Sequence, residues 1–216
     1  MRRYKPRKLY TWNHNLGYIA GIMASDGCLY RDGRHLNITS KDIDLLETIR
    51  SILNLRGTYK QKVSGFGTIG YYVQFSDVAL YDFLLECGIG PAKSKTIGKL
   101  IIPDIYYGDF LRGYFDGDGH TYSYWDTRWQ KSLMYYTGFS SASPVFLDWL
   151  KNTNQRLIGT VSGAIKPGKR ASTLLYAKTD SRLLYAAMYH NRNVPHLHRK
   201  KQKIDKLLQN DPFLVK

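Results

Sequence analysis

The sequence predicts an α+β fold of two pseudo-symmetric halves, each running α-β-β-α-β-β-α, that share an interface of two helices. Three observations predict it. Residues 110–119, FLRGYFDGDG, form a helix-like apolar run that ends on carboxylates alternating with glycines. Residues 16–27, LGYIAGIMASDG, repeat it, with Gly21 in the place of Gly113, Ser25 in that of Gly117 and Asp26 in that of Asp118. The landmarks that follow also recur in order, pairing Ser40 with Ser141, Asp77 with Asp180 and Lys93 with Lys200, and the spacing within each pair only grows along the chain. Small loop insertions produce such growth, whereas a chance match would drift both ways.

In the first half, residues 1–12 are a basic, aromatic-tipped arm, and Asn13 or Asn15 is placed to cap a helix running to about Asp26. Two short strands follow, Cys28 to Arg31 and His35 to Ser40, joined across Asp32-Gly33, a strong hairpin signal. The next helix opens at Ser40-Lys41-Asp42 and spaces Ile43, Leu46, Ile49, Ile52 and Leu53 helically before Gly57. A second hairpin pairs Thr58 to Val63 with Tyr71 to Phe75, and a helix from Asp77 through Cys87 completes a half spanning residues 13–95. Which parity of the second hairpin faces outward is not fixed by its pattern.

Residues 96–106, including Pro103, read as a linker, and residues 107–216 repeat the order. Tyr107 to Asp118 is the second motif helix. Thr121 to Trp125 and Ser132 to Phe139 form a hairpin, Pro144 to Asn154 a helix, Val161 to Lys166 and Ser172 to Lys178 the last hairpin, and Asp180 to His190 the closing helix. Gly113 and Gly117, four apart, leave a flat stripe that a second backbone can approach. If the two stripes meet, both helices finish at one end and set Asp26 beside Asp118.

The composition fits a globular protein acting on a polyanion. The chain has 216 residues, 43% hydrophobic, and its 32 Lys and Arg against 17 Asp and Glu give a net charge of +15. Its pI is near 9.7. That balance neutralises phosphates. No continuous apolar span suggests a membrane partner. Cys28 and Cys87 are too few for a disulfide scaffold and lack the clustering of a zinc site. The basic start has no apolar run behind it, so the expected setting is intracellular: cytoplasm, nucleoid or organelle matrix.

Two adjacent carboxylates repel unless a cation lies between them, and a hard divalent ion with oxygen ligands is the economical solution. The paired motifs resemble those of the LAGLIDADG homing endonucleases, in the single-chain form carrying both copies. The second copy matches at Leu111, Gly113, Asp116, Asp118 and Gly119. The first keeps Ala20, Gly21, Asp26 and Gly27 but has Ala24 where the first acid often stands. The resemblance implies Asp26 and Asp118 as metal ligands, with the backbone carbonyls of Ser25 and Gly117 as auxiliary ligands. Aligning residues 91–97 with 198–204 pairs Lys93 with Lys200, and the resemblance implies an active-site lysine at both. It also implies Ser40 and Ser141, ending the second strand of each half, as organisers of water; Ser40 fits a helix cap equally well. His190, His196 and His198 lack the context and spacing of an HNH nuclease.

The resemblance implies two four-stranded antiparallel sheets forming a DNA-binding saddle. Its expected contacts in the first half are Tyr30, Arg31, Arg34, His35, Asn37, Thr39, Lys60, Lys62, Tyr72 and Gln74. In the second half they are His120, Tyr122, Lys131, Lys166, Lys169, Arg170 and Lys178. The implied activity is a double-strand break with short 3′ overhangs in a long duplex target, dependent on Mg2+, with Mn2+ or Ca2+ able to substitute for binding, by a monomer that mobilises its own intron or intein. Two alternatives stay open: an RNA maturase assisting intron splicing, and a non-cleaving DNA-binding regulator.

Overall fold

A computed structural model describes residues 9–63, 65, 67–128 and 132–211. The first half contains α1 (His14–Ala24), β1 (Gly27–Leu29), β2 (His35–Ser40), α2 (Ile43–Leu53), β3 (Lys60–Val63), β4 (Ile69–Ser76) and α3 (Val78–Glu86). The second contains α4 (Tyr107–Asp118), β5 (Gly119–Trp125), β6 (Leu133–Ser141), α5 (Pro144–Ile158), β7 (Ala164–Lys166), β8 (Ser172–Tyr176), α6 (Lys178–Met188) and α7 (His198–Gln209). The two sheets have corresponding antiparallel orders, β1-β2-β4-β3 and β5-β6-β8-β7.

Local chemistry sets the helix starts. Asn13 caps α1, its side chain accepting from the Leu16 N–H at 3.0 Å, and Asp77 caps α3 through the Leu80 N–H at 2.9 Å. Such bonds satisfy donors that a helix leaves without partners. Ser143 caps α5 and Pro144 occupies its first turn, where the missing N–H costs nothing. Leu36, Ile38, Val73, Phe139 and Leu174 are buried on the helix side of the sheets, in one core with the motif helices.

Several boundaries differ from the sequence reading. The α5 helix continues to Ile158 and is closed by Gly159 at φ 77°. Strand β8 stops at Tyr176, so Lys178 opens α6 instead of ending a strand. Residues 198–209 form α7, which lacked a visible signal because His198, Arg199, Lys200, Lys201 and Lys203 crowd its start and only Ile204 and Leu207 are buried. The first half has only a single 3-10 turn there, Lys93–Lys95. The expected arm is outside the described residues up to position 8. Beyond it, Tyr10 donates to Asp77 at 2.7 Å and Trp12 packs on Phe83 at 4.8 Å between ring centroids, so this part is fixed to α3. The linker is packed too: Ile97 and Leu100 are buried, and Ser143 Oγ donates to the Ile97 carbonyl.

Candidate active site at the foot of the motif helices

Helices α1 and α4 touch backbone to backbone. A Cβ on Gly21 would sit 2.5 Å from the Tyr114 nitrogen, and one on Gly113 would sit 3.0 Å from the Ile22 nitrogen. A Cβ on Gly117 would meet the Ser25 side chain and lie 3.3 Å from Asp26 Oδ2. The small residues therefore let the helices close until the foot of one lies against the carboxylate of the other. Gly27 and Gly119 then turn each chain straight into a strand, since a Cβ would strike Met23 or Phe115 respectively. Both acids thus stand where the two sheets begin.

The electrostatics show two acids in one confined place. Asp26 is half-buried, and its carboxyl is pushed up to about 6 by burial first and by the Asp118 charge next. Asp118 is open to solvent at its tip, yet loss of water around it still lifts its carboxyl above the ordinary range against the pull of Lys93 and Lys200. The two lysines are placed equivalently. Lys93 Nζ donates to the carbonyls of Ser25 at 3.1 Å and Gly27 at 2.7 Å. Lys200 Nζ donates to those of Phe115 at 2.7 Å, Gly117 at 2.9 Å and Gly119 at 2.6 Å. Each ammonium satisfies carbonyls at a helix C-terminus, where the dipole favours a cation. Burial lowers both, Lys200 to about 8.

The halves are unequal one turn higher. Asp116 is 2% exposed; its Oδ2 accepts from the Tyr18 hydroxyl at 2.8 Å and the Leu197 N–H at 2.7 Å, while its Oδ1 has no partner. Burial pushes this carboxyl to about 6. Leu197 precedes α7, so Asp116 ties down the helix that delivers Lys200. Ala24 at the matching place has no such tie.

Ser40 and Ser141 accept from the N–H two residues on, Asp42 and Ser143, each at 3.1 Å. Their hydroxyls shape the turn into the next helix. Ser40 borders a cleft with Asp26, Lys62, Gly117 and Arg199; Ser141 borders a smaller one with Lys93, Tyr114 and Asp118.

Register resolves the parity of the second hairpin: Thr39, Tyr72 and Lys60 lie opposite one another and so share a face, as do Asn37 and Gln74. Tyr30, Arg31 and Arg34 are exposed around the first hairpin turn, with His35 bonded to Asp32. His120 and Tyr122 are exposed on β5, and Lys166, Lys169 and Arg170 on and beyond β7. Lys131 lies outside the described residues. Lys178 is a correction: at the start of α6, its ammonium donates to the Leu133 carbonyl at 3.0 Å, pairs with Asp211 at 2.9 Å and lies over the buried Tyr135 ring on the helix side of the sheet.

Two arrangements left no trace in the sequence pattern. Arg199 grips Asp42 through two bonds, 2.7 and 2.8 Å, joining the halves beside the cleft. At the opposite end of the motif helices, buried Asp109 accepts from Arg112 at 2.7 Å and is contacted by His14 at 2.7 Å and His190 at 3.1 Å. These partners hold its carboxyl below the ordinary range despite its burial.

Two antiparallel four-stranded sheets behind paired, acid-tipped helices define the LAGLIDADG fold in its single-chain, two-motif form, and comparison with solved structures agrees. The homing endonuclease I-WcaI bound to its DNA recognition sequence matches at a TM-score of 0.62 and 16% identity, over 92% of this chain and 95% of that one. The I-LtrWI LAGLIDADG homing endonuclease bound to target DNA matches at 0.58 and 12% identity, over 94% and 91%. Full-length DUF199/WhiA from Thermatoga maritima matches at 0.60 and 12% identity, over 94% of this chain and 62% of that one. No family model and no curated protein matches the chain.

Proposed function

We propose that the protein is a site-specific homing endonuclease that makes a divalent-metal-dependent double-strand break in a long DNA target. The observation that carries this reading is the meeting of Asp26 and Asp118 across the helix pair, each on a helix end held by its own lysine. Because the fold is shared by homing endonucleases and by WhiA, it does not by itself choose between cutting and binding. The acids favour cutting. A binding surface has no use for two carboxylates set against phosphate, and their repulsion costs stability unless a cation is bound.

The donor set fits Mg2+: two neighbouring carboxylates raised chiefly by loss of water, on an otherwise basic chain. Asp26 and Asp118 would hold the metal, with the carbonyls of Ser25 and Gly117 beside them. When bound there, such ions activate water and stabilise the leaving oxygen of a phosphodiester. The chain's own residues fix the geometry. Gly21, Gly113 and Gly117 set the separation of the acids, Lys93 and Lys200 hold the helix ends, and Arg199 with Asp42 joins the rims of the cleft. The basic sheets supply phosphate contacts that fix register and polar groups that read base edges.

The test is selection of cleaved sites from a randomised duplex library in magnesium, beside an Asp118→Asn variant. Enrichment of one long site by the native chain alone supports the reading. Retention of one duplex by both proteins, with no cutting by either, would make the chain a DNA-binding protein on this fold, and retention of structured RNA alone would make it an RNA-binding one.

A further inference from the structure

The outer faces of the two sheets carry different chemistry. On the first, register sets Cys28, Asn37 and Gln74 in one row and Thr39, Tyr72 and Lys60 in the next, a surface of amide, hydroxyl and ammonium groups with the rings of Tyr30 and Tyr72 set among them. On the second, Tyr122 lies opposite Tyr136, Tyr124 opposite Met134, and Gly138 between His120 and Leu175. The rings of Tyr122 and Tyr136 stack with centroids 4.9 Å apart and planes 11° apart, and Tyr124 extends the stack at 6.2 Å and 14°. Tyr122 is 39% exposed and Tyr124 47%. At Gly138 a Cβ would collide with the His120 imidazole, so that ring lies flat on the strand. The result is a stacked aromatic ladder left in water, where the first half sets Tyr30 and Tyr72 among amide and ammonium groups.

Exposed rings aligned along a two-stranded ribbon suit a partner that offers apolar groups in a row. The major groove admits such a ribbon, and its one apolar feature is the C5 methyl of thymine. We propose that the C-terminal sheet reads its half of the target through thymine methyl groups packed on Tyr122, Tyr124 and Tyr136, while the N-terminal sheet reads its half through hydrogen bonds. The target is therefore asymmetric, with the half under β5–β8 rich in A·T pairs. This inference rests on the duplex-DNA reading above and adds to it which bases each half prefers.

Replacing thymine by deoxyuridine removes only the methyl group. Affinity for the selected duplex, substituted in one half-site at a time, is measured by fluorescence anisotropy in calcium. For one half-site each contacted methyl lost weakens binding about fourfold, and substitution in the other half has under about half that effect. The Tyr122→Ser/Tyr136→Ser variant loses the dependence and so assigns that half to the C-terminal sheet; Tyr122→Phe, which keeps the ring, retains it. Equal sensitivity of both halves, or a dependence that survives the serine variant, overturns this inference and leaves the duplex reading standing. Binding of no duplex at all overturns that reading and this inference with it.

Discussion

Gly21 and Gly113 face each other across the helix pair so closely that neither has room for a side chain, and what each would strike is the other helix's backbone. Gly21→Ala or Gly113→Ala must therefore push the helices apart. Either change destabilises the chain by about 3 kcal/mol, the upper part of the usual overpacking range, because no side chain can yield. It also separates Asp26 from Asp118, so cleavage is lost even where the protein still folds. Urea denaturation checks the first effect, and a cleavage assay below the unfolding transition checks the second.

Without divalent metal, the raised acids make stability fall with pH. Asp26 and Asp116 both titrate near 6 in the folded chain and near the ordinary carboxylate value when unfolded. Between those values the folded state binds more protons, so stability is full below the unfolded value and is lost as pH rises through 6. Melting temperature in a chelator should drop between pH 4.5 and 7. Magnesium at pH 7 should restore much of the Asp26 part, and Asp26→Asn should abolish that response.

Asp116 and Tyr18 give a contrasting pair of variants. Asp116→Asn keeps an acceptor for Tyr18 and Leu197 and removes a buried charge whose Oδ1 has no partner. It should be nearly neutral at pH 3.5 and stabilise by about 2–3 kcal/mol at pH 7.5. Tyr18→Phe takes a donor from the same carboxylate and should destabilise by about 1–3 kcal/mol at pH 7.5. Chemical denaturation at the two pH values measures both.

Lys200→Met leaves the carbonyls of Phe115, Gly117 and Gly119 without their shared donor. The expected cost is about 1–3 kcal/mol in stability and roughly a hundredfold in single-turnover cleavage. Duplex affinity should change little, since the ammonium is turned to the backbone. Lys93→Met should act in the same direction through Ser25 and Gly27. Loss of binding in step with loss of rate would show instead that these lysines serve the phosphate backbone.

The repeat was legible because close helix packing demands glycine at fixed intervals, and because an acid at each helix foot, followed by the glycine that turns the chain into a strand, leaves Asp-Gly in the chain. The hairpin at Asp32-Gly33 was legible for the same local reason. What escaped depends on contacts distant in sequence. The Arg199 and Asp42 pair joins residues in different halves. Basic residues hide the helix that carries Lys200, because its stability comes from burying Ile204 and Leu207. Lys178 reads like any other lysine until Asp211 is seen beside it. The aromatic ladder on β5 and β6 is spelled out by alternation, but only the register shows that its rings stack.

The most direct test is strand-by-strand cleavage of the selected duplex in magnesium by the native chain, Asp26→Asn and Asp118→Asn, with binding measured in parallel. The native chain should cut both strands, and neither variant should make the double-strand break, while all three bind the duplex with similar affinity. A variant that still makes the break at the native rate, or that loses binding along with cleavage, would contradict the assignment of Asp26 and Asp118 as the metal-holding pair.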